Sequence, residues 1–430
     1  MPVRPIVIGR DEEDAKRFGE LGTITLGKHI VGTGEDAHLT NTIVMDVARP
    51  HVMLVLGKRG QGKSYTLATI AEGVTELPKD IRSNLSVVII DTMGIFWSMK
   101  NPNEKQVELL AAWGLQPKAF DVTVYVPHGH KDFFHKEGIP YDGTYALNPS
   151  DLTPEDWALS FELSLIDPTG ILLDRVVRKL KESGSYGIDD IIEAVDADRR
   201  AEPKVKEALQ NRLLSAKEWG LFSSRGTPIE ELLQPGKVSI IDTSLFSQLG
   251  EGWSVRSLLV GLVARRIYEA RIAARRREET ELITGTVAKK KIPLTWLMID
   301  EAHQFLPADG RTAATEALLS LVKQGRQPGI SCVFATQRPN KLHEDAISQA
   351  DLVLTHRLTV KADIDALRSI MQTYVLFDIT KYLNELPREK GVALVLDDNS
   401  ERLFTLKVKP RQSWHAGDTP IALRVKEGLV

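Results

Sequence analysis

Eight consecutive residues, Gly57-Lys58-Arg59-Gly60-Gln61-Gly62-Lys63-Ser64, fill every fixed position of the pattern G-x-x-x-x-G-K-[ST]. The chemistry open to such a stretch is phosphate binding. Gly57, Gly60 and Gly62 let the backbone curl until successive N–H groups point inward, and a helix starting at the loop adds partial positive charge. Lys63 can then reach the β- and γ-phosphates of a nucleotide, and Ser64 can hold Mg²⁺. With Lys58, Arg59, Gln61 and Tyr65 these residues form the expected binding set for ATP and its metal. The flanks agree: Val52–Leu56 is apolar enough for a buried strand, and Tyr65–Glu72 has helical spacing.

A second run, Leu294–Ile299, ends in adjacent carboxylates. Asp300 at the strand end is placed to hold Mg²⁺ through water opposite Ser64, and Glu301 to polarise the attacking water. Ile330–Thr336 is another buried strand, tipped by Gln337-Arg338-Pro339. In nucleotidases that use a glutamate after the acid strand, a sensor strand lies between the acid strand and the loop strand. That order would aim Gln337 at the γ-phosphate and the lytic water. Arg326, after the helix Ala314–Gln324, and Arg357, at the tip of Asp351–His356, could stabilise charge on the transferred phosphoryl group. For Arg326 a helix C-terminal charge is the structural alternative, and for either arginine a local ion pair with an acid such as Asp351. His303 has no second histidine at ligand spacing and is read as a hydrogen-bonding support.

These residues need an α/β scaffold. Buried strands at Leu85–Asp91, Val122–Val126 and Lys237–Asp242 alternate with helical stretches, which predicts a mostly parallel sheet. Four segments are expected: a short β-rich N-terminal part over 1–45, a first core part over 46–147, a helical insertion over 148–234, and a second core part with a C-terminal tail over 235–430. A long helix from about Ser254 to Glu279 carries Arg265, Arg266, Arg271, Arg275, Arg276 and Arg277, a charge run whose default reading is a solvated face. Gly285–Lys291 is expected to be an exposed loop.

The chain of 430 residues is 42% hydrophobic and 26% charged, which excludes disorder as the main state. Its formal charge of −3 excludes a uniformly basic coat but not a narrow basic channel. No apolar run approaches the roughly 18 residues of a membrane span. A cytoplasmic protein without membrane contact is expected. The single cysteine, Cys332, allows no internal disulfide and lies in an apolar run as an inert thiol. Beyond the ATP site no carboxylate cluster suits two-metal nuclease chemistry.

The loop with Tyr65, Ile299-Asp300-Glu301-Ala302-His303, Ala335-Thr336-Gln337-Arg338-Pro339 and the tail Ser413-Trp414-His415-Ala416-Gly417-Asp418-Thr419-Pro420 together resemble the HerA branch of the HerA–FtsK ATPases. The resemblance covers most of the chain from about Gly22. It implies a RecA-like P-loop ATPase core, a homo-hexamer, and movement along or unwinding of double-stranded DNA. It also implies a nuclease or other effector partner, in DNA repair or antiviral defence, and an arginine such as Arg326 or Arg357 acting across the subunit boundary. A ring that switches a partner effector without moving on DNA is the alternative.

Overall fold

The computed structural model describes residues 4–32, 36–248, 252–285, 291–370, 382–383 and 386–417. Most of the expected 285–291 loop and the tail beyond Gly417 lie outside these residues. The strands are β1 (Ile6–Ile8), β2 (Thr23–Val31), β3 (His38–Asp46), β4 (Val52–Leu56), β5 (Leu85–Asp91), β6 (Val122–Pro127) and β7 (Gly143–Tyr145). They continue with β8 (Val238–Asp242), β9 (Leu294–Ile299), β10 (Ile330–Thr336), β11 (Leu352–His356), β12 (Val392–Asp397) and β13 (Arg402–Val408). All join one 13-stranded sheet in the order β1-β3-β2-β13-β12-β11-β4-β10-β9-β5-β8-β6-β7.

From β11 to β7 every neighbouring pair is parallel. Such strands are covered on both faces, which is why they read as unbroken apolar runs. In β4, Leu54 and Leu56 join the hydrophobic cluster on one face, and Met53 and Val55 join that on the other. The N-terminal residues share this sheet, because β2 pairs antiparallel with both β3 and β13. The hairpin β12–β13, which no sequence signal named, is what connects them to β11.

Between β7 and β8 the chain forms helices at Pro154–Ser160, Pro168–Ser183, Ile188–Ala197, Pro203–Glu218 and Ile229–Leu232. The first starts on a reciprocal cap: Thr153 Oγ1 accepts from the Asp156 N–H at 3.1 Å, and Asp156 Oδ2 accepts from the Thr153 N–H at 2.7 Å. Trp157, Phe161, Leu173, Ile191 and Leu213 bury this unit against the sheet in a shared core. The long helix, Gly252–Thr284, spends its arginines on internal ties. Arg265 pairs with Asp156 at 2.8 Å, Arg266 with Asp151, and Arg275 with Glu279 at 3.0 Å. Arg271, 1% exposed, donates to the Pro328 carbonyl at 2.7 Å. Arg265, Arg266 and Arg271 thus tie the helix to neighbouring elements, while Arg275 pairs along the helix and Arg276 and Arg277 are exposed, as on a solvated face.

Candidate nucleotide site

Parallel strands collect their C-terminal ends along one edge, the usual position of a ligand crevice in such sheets. At that edge β4 runs into the glycine loop and the loop into the helix Lys63–Glu76. Gly57 (φ +155°) and Gly62 (φ +115°) take conformations that side chains avoid, and a Cβ on Gly57 would sit 2.7 Å from the His356 Cβ. The loop is held by its neighbours: the Gly57 N–H donates to the Thr336 carbonyl at 3.3 Å, and the Lys58 N–H to the Arg357 carbonyl at 3.1 Å. His356, fully buried, bonds Thr66 Oγ1 at 2.9 Å and the Val392 carbonyl at 3.0 Å from behind the loop. Burial pushes its pKa down to about 4, so the ring is neutral.

The acid strand β9 lies two positions from β4, with β10 between them. This juxtaposition brings distant residues into contact. Ser64 Oγ donates to Asp300 Oδ2 at 2.5 Å across 236 residues of chain. Hydroxyl and carboxylate are both hard oxygen donors of the kind Mg²⁺ prefers. Lys63 is 6% exposed and Asp300 2% exposed.

Glu301 turns the chain sharply out of β9 with φ +51°, rare for a residue other than glycine. Its Oε2 is buried without a hydrogen-bond partner. Burial first, then the charge of Asp300, push its pKa up to about 6, while Lys63, a hydrogen bond from Gln337 and Arg59 pull it back. That balance places Lys63, Asp300, Gln337 and Arg59 around one carboxylate. An ordinary carboxylate at the mouth of a site would be less basic and a weaker proton acceptor. His303 Nδ1 hydrogen-bonds Thr336 Oγ1 at 2.9 Å, and burial followed by Arg338 and Lys63 drives its pKa down to about 4. It is a neutral strut between the acid strand and the sensor strand.

The two arginines separate. Arg357 contributes its carbonyl to the loop itself. Arg326 lies before β10, at the opposite end of the strand, where its Nη2 meets Asp351 Oδ2 at 3.3 Å with the side chain 71% exposed. His51 Nδ1 takes the same carboxylate oxygen at 2.7 Å. The structure thus brings Lys63, Ser64, Asp300, Glu301 and Gln337 together and leaves Arg326 outside. Cys332 is fully buried, its thiol pushed up to about 12 by desolvation, in keeping with an inert role.

A second carboxylate pair carries no pairing signal in the sequence. Asp91 and Asp242 end the adjacent strands β5 and β8 in register. Asp91 accepts four backbone N–H groups, from Met93, Gly94, Ile95 and Phe96, at 2.8–3.1 Å. Burial and the neighbouring Asp242 push Asp91 up to about 8. The four converging donors favour its charged form but are outweighed by burial and Asp242, and burial raises Asp242 as well.

A strand, glycine loop and helix facing an Asp-Glu acid strand across a sensor strand define a P-loop nucleotidase. Residues 24–263 match the family model described as the central domain of the helicase HerA, and the chain belongs to that family. The DNA double-strand break repair helicase HerA of Sulfurisphaera tokodaii is 22% identical over 83% of this chain and 63% of its own length. That of Pyrococcus furiosus is 26% identical over 31% of this chain and 26% of its own. The chain thus spans about a quarter to less than two thirds of these relatives. Among solved structures, VirB4 of Thermoanaerobacter pseudethanolicus superposes with a TM-score of 0.55 at 13% identity, covering 94% of this chain and 98% of that one. The plasmid coupling protein TrwB, solved with ADP and Mg²⁺, gives 0.53 at 14% identity over 92% and 97%. Both share the fold. No helix among the described residues is long and apolar enough to cross a membrane.

Proposed function

We propose that the chain hydrolyses ATP, and that a ring of six copies uses the energy to move along or open double-stranded DNA. The observation that carries this reading is Glu301: a carboxylate at about 6, beside Asp300 and Lys63 and bonded by Gln337, suits a base that accepts a proton from water. In this reading the loop N–H groups and Lys63 bind the phosphates. Ser64 and, through water, Asp300 would hold Mg²⁺, which when bound neutralises charge on the β- and γ-phosphates. Gln337 orients the lytic water and Glu301 takes its proton as the γ-phosphoryl group is displaced in line. Arg357, whose carbonyl accepts the Lys58 N–H of its own loop, serves the site in cis. Arg326 is the residue offered to a neighbouring subunit. Family membership supports the motor and DNA parts, and the HerA relatives named for DNA double-strand break repair support a repair role. A nuclease or other effector partner and a place in antiviral defence remain parts of the same proposal.

The test is ATP hydrolysis by the purified chain with and without duplex DNA over a salt series. Stimulation by duplex that fades as salt rises supports the motor, since phosphate contacts release counterions. Hydrolysis indifferent to DNA but raised by a co-purifying protein would replace it with the switching-ring alternative.

A further inference from the structure

Six lysine and arginine side chains are buried among the described residues: Arg10, Lys63, Arg256, Arg271, Lys409 and Arg411. A charge taken out of water needs a counter-charge, and four of the six have one. Arg10 pairs with Asp46 at 2.8 Å, Arg271 with Glu278 at 3.0 Å, Lys409 with Glu76 at 3.4 Å, and Arg411 with the fully buried Glu72 at 3.5 Å. Lys63 and Arg256, each 6% exposed, form no ion pair with a carboxylate among the described residues. For Lys63 the phosphates of the nucleotide supply the missing charge. Arg256 needs an anion of its own.

Arg256 stands in the first turns of the long helix Gly252–Thr284, whose start is pressed against the segment after β8: a Cβ on Gly252 would lie 1.5 Å from the Phe246 carbonyl oxygen. Side chains of a helix lean toward its N-terminus. The Arg256 Nε accordingly donates to the Gly252 carbonyl at 3.3 Å, its one hydrogen bond among the described residues. The guanidinium thus adds a full charge to the partial positive charge of the helix end, and the first turn holds no acid to offset it. Desolvation lowers the Arg256 pKa, with no neighbouring carboxylate to hold it up. Trp253 lies against the guanidinium, 4.9 Å from ring centre to Cζ, and is 52% exposed. In the sheet β8 stands four places from β4, roughly 19 Å at about 4.8 Å per place, so this cation is not part of the phosphate loop.

We infer that Arg256 and Trp253 form a contact for DNA, the guanidinium bonding a backbone phosphate and the indole packing on the adjoining sugar. This rests on the DNA-motor reading of the proposed function and names residues that would carry it. A guanidinium fork suits the geometry of a phosphate. An exposed ring beside that cation suits a nucleic acid better than a free inorganic anion, which offers the ring nothing to pack on. Contacts to phosphate and sugar carry no sequence information, as a chain that travels along DNA requires.

The experiment titrates a fluorescently labelled DNA duplex with the full chain in magnesium ATPγS over a salt series and reads anisotropy. Arg256→Met should weaken binding about tenfold, equally for duplexes of different sequence, and reduce the slope of log affinity against log salt by about one for each subunit engaged. Trp253→Ala should weaken binding several-fold with the slope unchanged, and Trp253→Phe should recover most of the loss. Trp253 is on the surface, so Trp253→Ala decides the matter even where Arg256→Met does not fold. Variants that bind duplex as the parent does overturn this contact and leave the motor reading standing. A ring that falls apart on Arg256→Met, read by light scattering, gives the guanidinium to an acid of a neighbouring copy and overturns the DNA contact as well. A parent chain that binds no duplex overturns the DNA part of the proposed function and this inference with it.

Discussion

Replacing Glu301 with Gln separates the stability of the fold from the chemistry of the site. Burial and Asp300 hold this carboxyl at about 6 against its ordinary 4.5. With one unit worth about 1.4 kcal/mol, keeping Glu301 ionised costs the folded chain about 2 kcal/mol. Between those two values the folded chain keeps a proton that the unfolded chain has lost, so stability falls as pH rises through the window. The cost is fully present above pH 6 and absent below 4.5. Glu301→Gln removes it. The variant should unfold at higher urea than the parent at pH 8, by about 1–2 kcal/mol, and lose that advantage at pH 4.5. Binding of magnesium ATPγS should stay within a few-fold, because Lys63, Ser64 and Asp300 remain, while phosphate release falls by about 10²- to 10⁴-fold. Urea unfolding at both pH values without nucleotide, together with steady-state phosphate release, reads both effects. A variant no more stable at pH 8, or one that turns over within a few-fold of the parent, refutes the placement of this carboxylate as a costly buried base.

The same group sets the acid limb of activity: kcat/KM should rise about tenfold per pH unit below about 6 and level off above it, as read by phosphate release from pH 5 to 8. Arg411→Met leaves Glu72 charged, buried and short of a partner, so urea unfolding should show a loss of about 3–5 kcal/mol. Gly57→Ala puts a Cβ 2.7 Å from the His356 Cβ at a φ of +155°, and titration should show ATPγS binding lost while circular dichroism stays that of the parent. Arg326→Ala and Glu301→Gln subunits, each inactive alone, should recover partial ATP hydrolysis in verified mixed rings; no recovery removes Arg326 from the trans role.

The parallel core was legible because burial on both faces forces continuous apolar runs, and β4, β9 and β10 each end in the polar residues that crowd one edge of the sheet. The β12–β13 hairpin was not legible. Its turn, Asp398 to Glu401, has no glycine to announce it, and Glu401 itself takes the positive φ of +53°. Glu72 was equally silent. In a helical pattern it reads as an ordinary surface acid, and its partner Arg411 lies 339 residues away. His356 gave no signal either, since a histidine at the end of an apolar strand does not reveal that the strand lies beside β4 with its tip under Gly57.

Position along the chain cannot assign a trans arginine, whereas strand direction can. β4, β10 and β11 run parallel, so residues just after any of these strands lie at the loop edge, and residues just before lie at the far edge. Arg357 comes after β11 and lands on its own loop. Arg326 precedes β10, a strand of 7 residues. At about 3.3 Å per residue such a strand separates its ends by roughly 23 Å. No arginine side chain crosses that distance to its own γ-phosphate. A catalytic role for Arg326 therefore requires the site of another subunit. Its 71% exposure and its 3.3 Å contact to a carboxylate already shared with His51 leave the side chain available to it. The demand for a neighbour thus arises from the direction of one strand, and it is this demand that the mixed-ring experiment measures.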